Sequence, residues 1–285
     1  MIVDTLSSAE AALLCGYSIE VTGRRDSVVA HCMDMLPPGT EVYVAFPPSA
    51  THGRLADVAG ALVRAGFVAI PHIVARSFPS FTRFADLLHA LRYEGVDRAL
   101  VIGGDRTAQG PYRGAEDLLR TGAFERQGFR AIGLACYPEA HRKIDRTVLD
   151  AALDTKLRLV ERGGMRPWLV SQFCLEAEPV VTMVEGLRAR GITAPLRIGI
   201  AGPTDRRTLW KFALACGIGS SIRALGTHTD VIRDLLLRET PDALLGDLAA
   251  RLAARTEALR ISGLHIFSFG GVGATASWVQ RVTEG

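Results

Sequence analysis

Arg98-Ala99-Leu100-Val101-Ile102-Gly103-Gly104-Asp105 is an almost unbroken apolar run that ends in two glycines and a carboxylate. A strand with one face in water alternates apolar and polar residues; a parallel strand covered on both faces does not. This run therefore reads as a buried parallel strand. Three stretches before it read as strands, Tyr17–Thr22, Glu41–Phe46 and Val68–Ile73, and four after it, Ala131–Ala135, Trp168–Gln172, Leu196–Ala201 and Leu264–Phe269. Between them apolar residues recur at helical spacing, as in Leu55-Val58-Leu62 and Leu87-Leu88-Leu91, and Gly66 and Gly95 close those helices. Short joins between helix and next strand are those of right-handed β/α units. Eight units in about 250 residues predict an α/β fold, a single (β/α)8 TIM barrel, over an open doubly wound sheet. One domain spanning residues 1–285 is the expectation. The long interval Gly202–Gly263 reads as a seventh helix (Arg206–Cys216), a break at Gly217–Ser220, then a short extra helix and an eighth helix within Asp230–Arg260.

Composition narrows the function classes. With 48% apolar residues in 285, the chain can build a large core. Lys and Arg number 33 against 30 Asp and Glu, a balance too even to predict nucleic-acid binding. Five scattered cysteines, Cys15, Cys32, Cys136, Cys174 and Cys216, have neither disulfide-framework nor zinc spacing, so no metal is expected. The first ten residues carry Asp4 and Glu10 and lack a basic start with an apolar run, and no stretch is long and apolar enough to span a membrane. A cytoplasmic protein is the expectation.

Barrel enzymes place their chemistry at the carboxyl ends of the strands. The polar residues there are Glu20, His72, Asp105, Tyr137, Glu139, His141 and Gln172, with Ser268-Phe269-Gly270-Gly271 after the last strand. Glu20 is a carboxylate inside an apolar strand, where burial raises a carboxyl pKa into the range of a general acid; a rim salt bridge to Arg24 or Arg25 is the plainer reading. Gly103 and Gly104 allow a planar ligand to approach the backbone, although Asp105 could simply cap the next helix. Gly202-Pro203-Thr204 and Gly270-Gly271-Val272-Gly273 occupy the loops where barrels often hold phosphate, or they serve as tight turns.

Several blocks in order, Ser18-Ile19-Glu20, Pro71-His72, Gly104-Asp105, Tyr137-Pro138-Glu139-Ala140-His141 and Ser171-Gln172-Phe173, resemble the methylenetetrahydrofolate reductases. Arg197–Pro203 and Gly263–Phe267 look like that family's last two strands, and the similarity is to a divergent bacterial branch. The resemblance implies an oxidoreductase that interconverts 5,10-methylenetetrahydrofolate and 5-methyltetrahydrofolate, with FAD as cofactor and NADH or NADPH as partner. It implies that Glu20 is the general acid of ring opening to the 5-iminium cation, that Asp105 stabilises that cation, and that Gln172 hydrogen-bonds the pterin. It gives the cofactor to His72, Gly103, Gly104, Asp105, Ala135, Tyr137, His141 and Lys156. A homo-oligomer fits the family.

The chain departs from the family pattern on the flavin side. Gly103 stands where an Arg usually precedes Gly-Asp, Ala45-Phe46-Pro47 replaces a strand ending in Thr, and Leu159 rather than Lys precedes Val160. Alternative readings are therefore direct hydride transfer from nicotinamide without flavin, a pterin-binding barrel methyltransferase using methyltetrahydrofolate, and a non-catalytic folate binder.

Overall fold

The computed structural model describes residues 8–23, 27–139, 141, 144–218 and 240–284. Arg24, Arg25, Ala140, the break from Gly219 on and the start of the helical run at Asp230 lie outside the described residues.

The strands are β1 (Ser18–Thr22), β2 (Glu41–Ala45), β3 (Val68–Val74), β4 (Arg98–Ile102), β5 (Ala131–Cys136), β6 (Arg166–Ser171), β7 (Leu196–Ala201) and β8 (Ile261–Phe267). They close in sequence order into a parallel barrel, the arrangement the buried runs predict. The described helices are α1 (Ser8–Leu14), α2 (Val28–Met35), α3 (His52–Arg64), α4 (Phe81–Tyr93), α5 (Ala115–Arg120), α6 (Ala123–Arg126), α7 (Arg146–Arg162), α8 (Ala177–Ala189), α9 (Arg206–Cys216), α10 (Asp242–Leu252) and α11 (Val272–Glu284). No helix among the described residues is long and apolar enough to cross a membrane.

Two compact units can be described. Glu20–Ala135 with Thr147–Leu169 form one. Here α3 starts where the Thr51 side chain accepts from the Arg54 N–H and α4 where Ser80 accepts from Arg83, each satisfying a donor that helix geometry leaves unpaired. Both helices stop at glycines with positive φ, Gly66 at 88° and Gly95 at 85°. Leu55, Val58 and Leu62 of α3 are buried, as are Leu87, Leu88 and Leu91 of α4. The barrel interior of this unit is aromatic. The Trp168 indole N–H donates to the Tyr43 hydroxyl at 2.9 Å. Their strands, β6 and β2, are not neighbours in the ring, so this bond crosses the interior. Gly133 on β5 leaves room for the indole: a Cβ there would lie 2.7 Å from two of its ring carbons.

The second unit comprises the residues up to Ile19, Cys136–Arg146 and Val170–Gly285. Strand β7 pairs with β8 through Ile198↔Leu264 to Ala201↔Phe267, with a register shift between Leu196 and Ile198. The pattern places β8 at Leu264–Phe269, whereas it runs Ile261–Phe267. Ile261 pairs with Leu196, and Gly263 absorbs the irregularity at φ 116°. Strand β6 likewise begins two residues early and ends at Ser171, which puts Gln172 just past the strand. The indole of Trp278 on α11 donates to Asp242 at the start of α10 at 2.8 Å.

A Gly133→Ala substitution should therefore push against the indole and Leu100, costing about 1–3 kcal/mol as overpacking does. The denaturation midpoint should fall with an unchanged slope; an unchanged midpoint would show that nothing pins Trp168.

Candidate functional site

Glu20 is the third residue of β1 and His72 the fifth of β3. With β2 between those strands, their side chains meet inside the barrel, His72 Nε2 lying 3.4 Å from a Glu20 carboxylate oxygen. Side-chain exposure is 17% for Glu20 and 10% for His72, so both are largely withdrawn from water. The Tyr43 ring meets the His72 ring edge-on at 6.3 Å. Burial pushes the Glu20 carboxyl above its ordinary value, and positive charge on His72 opposes this with a smaller effect. The carboxyl thus holds a proton at a pH where a solvated glutamate has lost it. His72, which the resemblance gives to the flavin, faces the Glu20 carboxyl.

Gly103, Gly104 and Asp105 follow β4 in the same unit. Gly104 is required by the chain itself: its φ is 88°, and a Cβ would sit 2.4 Å from Val74 Cγ1. Asp105 is exposed. It does not cap the next helix, which starts at Ala115 and takes its cap from Asp117, whose carboxylate accepts from the N–H groups of Arg113 and Gly114. The turn is held by Arg76, in a short 3-10 turn after β3: Nη1 donates to the Gly104 carbonyl and Nε to the Arg113 carbonyl, both at 2.9 Å. Ala135 ends the unit on β5 and Lys156 is half-buried on α7.

In the second unit, Tyr137, His141 and Gln172 line one small cavity with Glu139, Phe173 and Cys216. Tyr137 and His141 pack edge-on at 5.3 Å. Gln172 is tied on both sides, its N–H to the Cys136 carbonyl at 2.9 Å and its side-chain oxygen accepting from the Phe173 N–H at 3.0 Å. Its amide oxygen is thus spent on the backbone, and the NH2 is the half left to read a ligand. The Cys174 thiol lies 3.9 Å from Glu139. Burial, then the nearby carboxylates, push it far above the ordinary thiol range, so it is no thiolate nucleophile. Ser18 and His265, both fully buried, pair at 3.0 Å in this unit.

The resemblance implies FAD, which needs a slot for a three-ring isoalloxazine. The cavity beside Tyr137 and His141 measures about 10 Å³, the room of about one water. A larger cavity of about 220 Å³ is walled by Leu175, Glu176, Gly202, Thr204, Leu244 and Asp247, none of them a residue the resemblance gives to flavin. Neither cavity is lined by His72, Gly103, Gly104, Asp105, Ala135 or Lys156, the other residues that the resemblance gives to the flavin. Two of the glycines of the phosphate-loop candidates, Gly202 and Gly270, sit in close packing, while a Cβ on Gly271 or Gly273 would meet nothing within 4 Å. A Cβ on Gly270 would meet the Pro203 carbonyl at 2.2 Å, and one on Gly202 would meet Thr275 Oγ1 at 2.9 Å. Among the described residues no group of three or more His, Cys, Asp or Glu could hold a metal.

Sequence reading missed Tyr43, Trp168 and Arg76. Tyr43 and Trp168 look like ordinary strand residues, and nothing in a linear pattern shows that they meet. Arg76 lies four residues past His72 in an unremarked loop.

No protein-family model matches the chain. Among solved structures it is similar to dihydropteroate synthase from Thermus thermophilus in complex with 6HMPPP, at 16% identity and a TM-score of 0.50, covering 100% of this chain and 95% of that one. A second structure of dihydropteroate synthase from the same organism matches at 15% identity and a TM-score of 0.50, covering 98% and 94%. At these identities the likeness establishes the shared barrel.

The raised Glu20 pKa makes a stability prediction. Between the ordinary value of 4.5 and the raised native value, the folded chain binds more protons than the unfolded one. Stability contributed by the protonated carboxyl is full below that window and is lost as pH rises through it. Glu20→Gln should flatten this decline in a series of denaturation curves. An identical pH dependence in the variant would mean that Glu20 titrates as a solvated carboxylate.

Proposed function

We propose that this chain is a folate-dependent one-carbon enzyme in which Glu20 delivers a proton to a nitrogen of a reduced pterin. The observation that carries the reading is the Glu20 carboxyl, withdrawn from water inside the barrel, its pKa raised, against His72. A proton donor active near neutral pH needs that environment. The ordered motifs from Ser18-Ile19-Glu20 to Ser171-Gln172-Phe173 support a folate substrate, and so does a barrel shared with dihydropteroate synthase.

In the reading the motifs favour, the substrate is 5,10-methylenetetrahydrofolate. Glu20 protonates N10 as the methylene–N10 bond breaks, leaving a 5-iminium cation. Hydride that originates on NADH or NADPH reaches the methylene carbon and gives 5-methyltetrahydrofolate. Asp105 stabilises the cation electrostatically once bound ligand excludes water from it. Gln172 directs its NH2 to a pterin acceptor while its oxygen stays on the Phe173 N–H. A second reading uses the same acid. Protonation of 5-methyltetrahydrofolate at N5 readies the methyl group for transfer to a nucleophile, with no redox partner. The dihydropteroate synthase-like barrel favours this one.

Nicotinamide absorbance in the presence of 5,10-methylenetetrahydrofolate should fall with the purified protein, and Glu20→Gln should slow that loss by about 10²–10⁴-fold. Full turnover by Glu20→Gln would remove Glu20 from its role. Methyl loss from 5-methyltetrahydrofolate to a thiol acceptor without nicotinamide would establish the second reading. Tight pterin binding with neither reaction would make the chain a folate binder.

Activity that needs protonated Glu20 should decline as pH rises through its raised pKa. Positive charge on His72 lowers that pKa, so His72→Gln should move the limb to higher pH. A limb that stays put or moves down would separate His72 from the acid.

A further inference from the structure

We infer that Arg76 is the positioning residue for Asp105, fixing from the end of β3 the direction in which the β4 loop presents its carboxylate. The inference rests on the role given to Asp105 above. The carbonyl that Arg76 Nη1 holds at 2.9 Å belongs to the peptide linking Gly104 to Asp105. Fixing that oxygen fixes the plane of the peptide and so the direction in which the Asp105 side chain leaves the backbone. Gly104 could otherwise rotate more freely than any other residue, and it sits at φ 88°.

The same arginine braces the rest of the loop. Its backbone N–H donates to the Gly103 carbonyl at 3.1 Å, its carbonyl accepts from the Gln109 N–H at 3.0 Å, and Nε reaches the Arg113 carbonyl at 2.9 Å. One residue therefore ties the start, middle and end of the segment between β4 and α5. Among the described residues none donates a hydrogen bond to the Asp105 carboxylate, so its direction comes from the backbone. A fork with donors fixed in one plane can span the Gly104 and Arg113 carbonyls together, and a single ammonium cannot. Displacing a reacting or stabilising group by about 1 Å costs on the order of 10²-fold in rate.

The test is a double-mutant cycle in the full-length protein, read as kcat and KM in the folate reaction and as the thermal midpoint of each variant. Arg76→Ala should lower kcat by about 10–100-fold with KM changed less than about threefold. Arg76→Lys should recover only part of the loss. In the Asp105→Asn background, Arg76→Ala should cost less than about threefold more, because the group it aims is already gone. Losses that multiply in the double variant would overturn the inference, leaving Arg76 a staple of the loop. So would a loss in Arg76→Ala that disappears once activity is normalised to the folded fraction, and so would full activity in Arg76→Ala. Should Asp105→Asn alone keep full turnover, the role of Asp105 itself falls, and the single variant reveals that before the cycle is closed.

Discussion

A parallel strand offers N–H and C=O groups along both edges, and each needs a partner once it leaves water. Closing the ring in the order β1 to β8 removes the edges altogether. Closure has a cost: alternate side chains then point into a space that must be filled at the density of an organic crystal. Here large rings do the filling. Trp168 reaches across to Tyr43, and Gly133 gives up its side chain to admit the indole. Any polar group on the same inner face has lost its water and must find a partner within the barrel.

Glu20 and His72 follow from that constraint. A carboxyl and an imidazole meet there at 3.4 Å, where an apolar filling would pack as well. The desolvation that makes the pair costly also raises the Glu20 pKa, which is the property a proton donor requires. Asp105 is the opposite case. It is exposed on the loop after β4.

The second unit adds restraint rather than charge. Gln172 is fixed by its own strand end, N–H to Cys136 and side-chain oxygen to Phe173, so its amide can turn in one sense only. The Cys174 thiol, the most reactive-looking group nearby, is silenced by burial and by Glu139. Of the glycines after β7 and β8, which look like a phosphate cradle, Gly202 and Gly270 are closely packed and Gly271 and Gly273 face open space.

Much of the fold was legible in the amino-acid sequence. Apolar runs such as Ala99–Ile102, with helical repeats between them, decide strand identity and parallel order because period and burial are local properties. The unusual setting of Glu20 was legible too, since a carboxylate inside an apolar strand is a local contradiction. Where the pattern failed, a non-local partner had overruled it: Leu196 drew Ile261 into β8, three residues before the apolar run begins. Only the tertiary structure could join Trp168 to Tyr43, or Arg76 to the Gly104 carbonyl. Contacts between residues tens of positions apart depend on how strands are arranged around the ring, and no sequence period encodes that arrangement.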